Sequence, residues 1–167
     1  MDTKAILWAP WRMQYVTGDK PKGCFLCQDH ESADDRDNYV LYRGNRCYII
    51  LNVYPYNPGH LMVVPYDHVP SVDDLDEETL SEMMILVSRC VRLLQNTMSP
   101  AGFNVGMNIG RVAGAGVAEH VHAHVVPRWE GDANFMPVVA STKVLPEGLQ
   151  TTYDKLRGAW TRLNKTL

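Results

Sequence analysis

The sequence feature that most constrains the fold is the alternation of histidine with apolar residues at 120–126, His-Val-His-Ala-His-Val-Val. Successive side chains of a β-strand point to opposite faces of a sheet. The pattern therefore predicts a strand with three histidines on one face and Val121, Ala123 and Val125 on the other, facing the core. Three imidazoles on one face could form a metal site, a proton relay, a nucleophile with supporting groups, or only a solvated polar edge.

The other apolar patterns predict an α+β fold, an antiparallel sheet with helices packed against it. Tyr, Ile and Leu cluster at 39–43 and 46–51 around a Gly-Asn pair, which is typical of a hairpin. Apolar residues recur at three- and four-residue spacing from Leu80 to Leu94, behind an acidic segment suited to a helix N-terminus. We expect strands at 39–43, 46–51, 60–65, 103–109 and 121–128, a helix from the acidic run at 73–78 to before Pro100, and a last helix at about 146–163.

Composition excludes several classes of protein. The 167 residues suit one domain, which we divide into an irregular N-terminal extension at 1–38, a core at 39–136 and a C-terminal helical segment at 137–167. No apolar run approaches the ~20 residues of a membrane helix, and the N-terminus lacks the features of a secretory signal. Sixteen Lys and Arg against 19 Asp and Glu argue against a nucleic-acid-coating protein. Four cysteines without framework-like spacing predict a reducing, cytoplasmic location.

The segment 120–126 resembles the signature of the histidine triad (HIT) superfamily at every position. Upstream, the resemblance extends through Asn52, the Pro-Gly-His-Leu-Met-Val-Val-Pro run at 58–65 and Asn-Ile-Gly at 108–110, and it covers roughly residues 39–136. It implies a HIT-like fold, with a five-stranded antiparallel sheet and two main helices.

Two further segments resemble one branch of that superfamily. Tyr-Pro-Tyr-Asn-Pro-Gly-His at 54–60, and Pro-Arg-Trp at 127–129 followed by Gly-Asp-Ala-Asn-Phe at 131–135, resemble the bacterial diadenosine tetraphosphate phosphorylases of the fragile-histidine-triad branch. The resemblance implies cleavage of diadenosine tetraphosphate through a nucleotidyl-histidine intermediate, with ATP and ADP as products when inorganic phosphate is the acceptor.

The resemblance assigns roles to three histidines. His122 would be the nucleophile that attacks an α-phosphorus, since a neutral imidazole nitrogen can form such a bond. His124 would hydrogen-bond the transferred phosphate or the leaving oxygen, and His60 resembles the family's fourth histidine, which supports the triad. Water as the acceptor would give hydrolysis, and inorganic phosphate would give phosphorolysis.

The resemblance also implies substrate contacts. Asn52 resembles the ribose-binding asparagine, and Asn108 the family's Gln/Asn near the α-phosphate. The Gly/Ala-rich loop at 110–118 lets backbone N–H groups approach phosphate oxygens. This loop departs from the family, since Ala-Gly-Val at 115–117 replaces the usual Gln-Ser/Thr. The expected loop contacts come from Gly114, Ala115, Gly116 and Val117.

An acceptor phosphate needs a local cation, because it must approach a negatively charged nucleotidyl intermediate. Arg128, directly after the histidine strand, is the best-placed candidate, with Lys143 and Arg111 behind it. Trp129 could wall the pocket against water. A strand-end salt bridge is the alternative interpretation of Arg128.

Cys24 and Cys27 form a CxxC pair, the spacing of half a zinc site or of a redox pair. No strand signal precedes the pair, so we rank a metal above a thioredoxin-like redox role. Some HIT relatives, and galactose-1-phosphate uridylyltransferases, complete such a pair with a histidine after the central strand and the first triad histidine. Those positions are His68 and His120 here, so the resemblance implies a closed, structural zinc site. We expect no organic cofactor.

Other functions remain open at this point. A hydrolase differs only in its acceptor, and Pro127-Arg128 argues against a Hint-like nucleoside phosphoramidase. A galactose-1-phosphate uridylyltransferase would carry His-Pro-His where His-Ala-His stands at 122–124. A non-enzymatic nucleotide sensor is a further alternative. The resemblance implies a homodimer or higher homo-oligomer, with a nucleotide and inorganic phosphate as partners and neither nucleic acid nor membrane.

Overall fold

The computed structural model describes residues 23–132 and 147–163, which carry one sheet with helices on both of its faces. Lys143 and residues 133–135, singled out above, lie outside the described residues. The elements are α1 (Phe25–Glu31), β1 (Val40–Arg43), β2 (Cys47–Leu51), β3 (Leu61–Pro65), α2 (Glu77–Met98), β4 (Gly102–Met107), β5 (Ala123–Arg128) and α3 (Leu149–Leu163). Within these ranges, no helix has both the length and the apolar character needed to cross a membrane.

The five strands form one antiparallel sheet in the order β1-β2-β3-β5-β4. The predicted α+β fold and five-stranded antiparallel sheet are therefore confirmed. After β3 the chain passes through α2, returns at the sheet edge as β4, and then inserts β5 between β3 and β4. This insertion places His124 in the middle of the sheet, opposite Met62 of β3 and Gly106 of β4.

The two faces of the sheet have different cores. On one face, α2 and α3 pack against a large apolar cluster that includes Val121, Ala123 and Val125, as the alternation predicted. On the other face a smaller cluster joins Leu26 of α1 to Met62 and its neighbours on β2 and β3. His124 pairs with Met62 and so lies on this second face, beyond the edge of the smaller cluster.

The limits of α2 follow from capping. Asp76 is the N-cap, and its carboxylate accepts the Thr79 backbone N–H at 2.7 Å, satisfying one of the unpaired donors of the first turn. Ser99 adopts a left-handed conformation after the last turn, and Pro100 follows. The acidic run at 73–78 is thus divided between a 3₁₀ turn, the cap and the first turn of the helix.

Three predictions of local structure need correction. The N-terminal extension is not wholly irregular, because Phe25–Glu31 is helical; seven residues are too short to show a helical period. The histidine strand begins at Ala123, two residues later than predicted, because the Val121 N–H bonds to the Val69 carbonyl instead of continuing the β3 ladder. Tyr39 has a positive φ of 58°, so β1 begins one residue later, at Val40.

Candidate active site and metal cluster

Three histidines meet where β3 and β5 begin. His60 directly precedes β3, His122 directly precedes β5, and His124 is the second residue of β5. The ring centroids of His122 and His124 are 4.7 Å apart, and those of His60 and His124 are 5.1 Å apart. The antiparallel pairing of β3 with β5 brings these residues together although His60 is more than sixty positions away in the sequence.

The hydrogen bond of His122 determines which of its ring nitrogens carries the proton. Nδ1 lies 2.8 Å from the His120 carbonyl oxygen, which can only accept, so Nδ1 carries the proton in the neutral ring. Nε2 then keeps its lone pair. Burial lowers the pKa of His122, which favours the neutral imidazole near pH 7. The buried ring therefore offers an unprotonated Nε2, as a nucleophile requires.

A chain of hydrogen bonds orients His124. The Tyr56 backbone N–H donates to His60 Nδ1 at 3.1 Å, so Nε2 of the neutral His60 ring carries the proton. That Nε2–H donates to His124 Nδ1 at 3.0 Å. His124 must then carry its own proton on Nε2. Burial, assisted by His122, lowers the pKa of His124 to about 4, so the ring is neutral and Nε2–H is a hydrogen-bond donor.

Asn52 lies beside His60, at the end of β2. Its Oδ1 accepts the Tyr54 backbone N–H at 2.8 Å, and its Nδ2 is 3.3 Å from His60 Nδ1. Both ends of this buried side chain are thus engaged within the 52–60 segment. Its role as a ribose ligand stays a prediction.

The two CxxC cysteines meet His68 and His120 in one cluster, as the resemblance implied. Cys24 Sγ and Cys27 Sγ lie 3.4 and 3.5 Å from His120 Nδ1, and Cys27 Sγ lies 3.2 Å from His68 Nδ1. The four ligand atoms all lie within 4.8 Å of one another. Zinc–ligand bonds of about 2.3 Å to sulfur and 2.0 Å to nitrogen give tetrahedral S···N edges of roughly 3.5 Å, close to these distances.

His120 links the Cys/His cluster to His122. Its Nε2–H donates to the Pro65 carbonyl at 2.9 Å, which leaves the Nδ1 lone pair facing the two cysteines. Its own carbonyl accepts the His122 Nδ1–H at 2.8 Å. The other two cysteines, Cys47 and Cys90, are buried in the larger core.

The Gly/Ala-rich loop lies between β4 and β5. Gly110 and Gly114 have positive φ angles of 82° and 87° at the two ends of a 3₁₀ turn. Such angles are accessible to glycine without strain. The side chain of Val117 packs against the smaller core, whereas Gly114 and Gly116 are exposed. The phosphate contacts expected from Gly114, Ala115, Gly116 and Val117 stay a prediction.

Arg128 makes the salt bridge that was its alternative interpretation. Its Nε and Nη2 donate to the Asp132 carboxylate at 2.6 and 2.8 Å, and its Nη1 donates to Asn104 Oδ1 at 2.6 Å. This guanidinium holds the pKa of Asp132 well below its usual range. The Arg128 side chain nevertheless remains 44% exposed. It is thus held in place with part of its surface open to a ligand.

Sequence reasoning missed the residues that hold this corner together. Asn57 is only 2% exposed, and its Nδ2 donates to the Pro127 carbonyl and to Asp132 Oδ2, both at 2.8 Å. These bonds tie the segment before β3 to the end of β5. Asn57 and Asp132 belong to the segments that carry the family resemblance, which was the available signal, but residue type alone assigned them no partner.

The other two residues proposed near the acceptor have different surroundings. The indole N–H of Trp129 donates to the Met98 carbonyl at 3.3 Å, at the end of α2. Arg111 is exposed and pairs with Glu119 at 2.9 Å. Trp129 as a pocket wall therefore stays a prediction, and its indole nitrogen is already engaged by the protein.

An open cleft of about 370 Å³ lies beside His124 on the second face of the sheet. Its volume is in the range of about 300–1,000 Å³ typical of ligand pockets. Asn108 and Arg128, both predicted to bind substrate, line this cleft together with His124. Asn52, Trp129 and residues 114–117 are outside its lining within the described ranges.

Comparisons with known proteins agree with this geometry. A family model described as the HIT domain matches residues 34–131. The AP-4-A phosphorylase of Mycobacterium tuberculosis is 42% identical over 93% of this chain and 84% of its own length. The asymmetrical bis(5'-nucleosyl)-tetraphosphatase of Schizosaccharomyces pombe is 31% identical over 65% of this chain and 59% of its own length. The crystal structure of a zinc-bound histidine triad family protein from Mycobacterium smegmatis has a TM-score of 0.70 and 25% identity, over 87% of this chain and 98% of that one.

The family match spans more than half of the chain and contains the whole alternating segment at 120–126. The fold that the resemblance implied, a five-stranded antiparallel sheet with helices against it, is the fold observed. The predicted resemblance is confirmed, and this chain belongs to the HIT domain family.

Proposed function

We propose that this protein is an enzyme that cleaves dinucleoside polyphosphates, with diadenosine tetraphosphate as substrate, by nucleotidyl transfer through His122. The observation that carries the proposal is the buried His122 ring, whose Nδ1–H is held by a carbonyl and whose Nε2 is left unprotonated beside His124. The names of the relatives from M. tuberculosis and S. pombe, a phosphorylase and a tetraphosphatase, support the substrate class.

In the first step His122 Nε2 attacks an α-phosphorus of diadenosine tetraphosphate. A P–N bond forms, the bond from phosphorus to the bridging oxygen breaks, and ATP leaves while the adenylyl group stays on His122. His124 Nε2–H donates a hydrogen bond to the leaving oxygen. That oxygen belongs to a phosphate chain and is a weak base, so a hydrogen bond suffices to stabilise it.

In the second step an acceptor oxygen attacks the same phosphorus and releases His122. Inorganic phosphate as the acceptor gives ADP, and water gives AMP. Arg128 supports phosphate as the acceptor, because its guanidinium is fixed at the cleft rim and remains 44% exposed. A hydrolase is the alternative function, favoured by the tetraphosphatase name of the S. pombe relative.

Product analysis distinguishes these two functions. We expect turnover of diadenosine tetraphosphate in saturating inorganic phosphate to release ADP and ATP in equal amounts, because phosphate then outcompetes water for the adenylyl group. Chromatography of the nucleotides, with and without phosphate, measures this directly. Release of AMP and ATP in saturating phosphate would make the protein a hydrolase.

We also infer a structural zinc ion held by Cys24, Cys27, His68 and His120. The donor set fits zinc, because two thiolates and two neutral imidazoles complete a tetrahedral shell at the distances found. Four protein ligands leave no open position for substrate, so the ion would supply a cross-link between α1 and the segment before β5. The zinc-bound M. smegmatis relative supports the choice of metal.

Exposed apolar residues on α2 and β4 support a homodimer. Met84 and Ile85 are 56% and 52% exposed on α2, and Val105 is 48% exposed on β4, an edge strand of the sheet. Met83 and Met98, the other methionines considered for this contact, are buried and half-buried against the core. We expect a dimer or larger assembly by sedimentation velocity at micromolar concentration, and a shift to monomer in Met84→Glu. A wild-type monomer would contradict this proposal.

The remaining features of the proposal concern context. We treat residues 1–167 as one HIT domain working in the cytoplasm, where the four cysteines, none of them in a disulfide, would stay reduced. Its partners would be a nucleotide and inorganic phosphate, and the net charge of −3 gives no basis for binding nucleic acid.

A further inference from the structure

The cleft beside His124 has the chemistry of a nucleotide site. Tyr56 is 53% exposed at its wall, with its ring centroid 6.0 Å from that of His124. An exposed aromatic ring is a stacking surface for any nucleobase. The polar groups around the cleft are the amides of Asn104 and Asn108 and the guanidinium of Arg128, which suit phosphate and sugar oxygens.

The position of the cleft relative to the nucleophile indicates which part of the substrate it takes. In displacement at phosphorus the attacking and leaving atoms lie roughly in line. His124 adjoins His122 and also lines the cleft. When the leaving oxygen is hydrogen-bonded to His124, the nucleotide attached to that oxygen therefore extends into the cleft. The nucleotide that stays on His122 requires a separate subsite.

We propose that this cleft binds the leaving nucleotide of the dinucleoside polyphosphate. Its phosphate chain would contact Asn104 and Arg128, and its base would stack on Tyr56. The inference rests on the proposed function, and it adds a subsite with two residues, Tyr56 and Asn104, to which the sequence analysis assigned no role. The acceptor must approach the phosphorus from the side that the leaving group vacated, so phosphate enters the same cleft after the nucleotide departs.

The surrounding contacts hold the cleft in shape before any ligand binds. Asp132 binds the Arg128 guanidinium through both carboxylate oxygens and also accepts a hydrogen bond from Asn57. The Tyr56 ring packs against His60, with ring centroids 4.8 Å apart, so the stacking surface is also held in place by the protein. Such preorganisation reduces the entropy that a ligand must lose on binding.

Gly106 provides a direct test, because a side chain there would fill the cleft without removing a hydrogen-bonding group. It lies on β4 in the cleft lining, and a Cβ built on it meets no atom within 4 Å. Gly148 is a control away from the cleft. It directly precedes α3, a Cβ on it also meets no atom within 4 Å, and it is outside the cleft lining.

The first measurement compares the turnover of two substrates by Gly106→Val and by Gly148→Val. Diadenosine tetraphosphate has a large leaving nucleotide, whereas adenosine 5′-phosphoramidate places the same adenylyl group on His122 and releases only ammonia. The measured quantity is kcat/KM for diadenosine tetraphosphate divided by kcat/KM for the phosphoramidate. We expect Gly106→Val to lower this ratio by about tenfold or more, the effect of a misfit of one or two methyl groups. Asn104→Ala should lower the same ratio. An unchanged ratio in Gly106→Val, or an equal fall in Gly148→Val, would overturn the assignment.

The second measurement does not depend on turnover. Calorimetric titration of ATP into protein saturated with AMP should reveal one ATP site in the wild type and in Gly148→Val, and a loss of about tenfold or more in affinity in Gly106→Val. Absence of that ATP site in the wild type would overturn the subsite. A protein that binds ATP in this way but does not cleave diadenosine tetraphosphate would instead contradict the proposed function.

Discussion

Replacing His122 with asparagine is expected to lower turnover of diadenosine tetraphosphate by about four orders of magnitude or more, the scale of losing a covalent nucleophile. Asparagine can still donate a hydrogen bond to the His120 carbonyl, but it has no nitrogen lone pair able to attack phosphorus. The loss should fall on kcat, because the groups proposed to bind the nucleotide remain in place. Rapid-quench assays of the purified variant measure it.

Two controls separate lost chemistry from lost structure. The variant should bind ATP within a few-fold of the wild type, and its thermal unfolding should change little. Mass spectrometry, under conditions that preserve acid-sensitive adducts, should detect an adenylyl group on the quenched wild-type protein and none on His122→Asn. Near-normal turnover by purified His122→Ala would eliminate the proposed mechanism.

Replacing both Cys24 and Cys27 with serine is expected to abolish zinc binding and to lower the free energy of unfolding by several kcal/mol, the order expected for a structural zinc site. The reason is geometric. Cys24 and Cys27 belong to the start of the seven-residue α1, and the cluster joins them to His68 and His120 more than forty residues away. Elemental analysis of wild-type protein purified without added metal should find about one zinc per chain.

The buried thiol of Cys90 supplies the matched control for that variant. It lies in the larger core and outside the cluster, so Cys90→Ala should lose some packing energy but keep its zinc. Activity measured alongside should fall in the double variant, because the His120 carbonyl that orients His122 belongs to a cluster residue. Zinc that remains after the double change, or a wild type without zinc, would reject this ligand set.

The alternation at 120–126 was enough to determine which side chains of the histidine segment share a face. A period of two dictates this, so Val121, Ala123 and Val125 had to face the core and His124 the other side. The spacing of apolar residues from Leu80 to Leu94 determined a helix in the same way. The order of these elements, with short links between strands, then favoured an antiparallel sheet.

Motif spacing also determined which residues to consider for chemistry. The CxxC pair marks two thiols on one turn, and the resemblance supplied His68 and His120 as partners, which the structure brings together. The helix α1 next to that pair was not predicted, because its seven residues are too few to show a helical spacing of apolar side chains.

Only the tertiary structure decided what the polar side chains touch. The sequence left Arg128 open between a cation for phosphate and a strand-end salt bridge, and the structure pairs it with Asp132, four residues on, and with Asn104 on the neighbouring strand. His60 meets His124 because β3 pairs with β5, a register that neither segment specifies alone. The cleft over Gly106 exists because β4 and β5 are neighbours at that edge of the sheet.

The physical reason for this division is the range of the interactions involved. Backbone geometry and apolar periodicity act over a few residues, so the sequence by itself determined the strands, the long helices and the polar face of the histidine segment. Hydrogen bonds and ion pairs form between whichever groups the topology brings within about 3 Å. The proton positions on His122 and His124, the corner formed by Asn57, Asp132 and Arg128, and the cleft beside His124 were therefore decided only when the five strands assembled into one sheet.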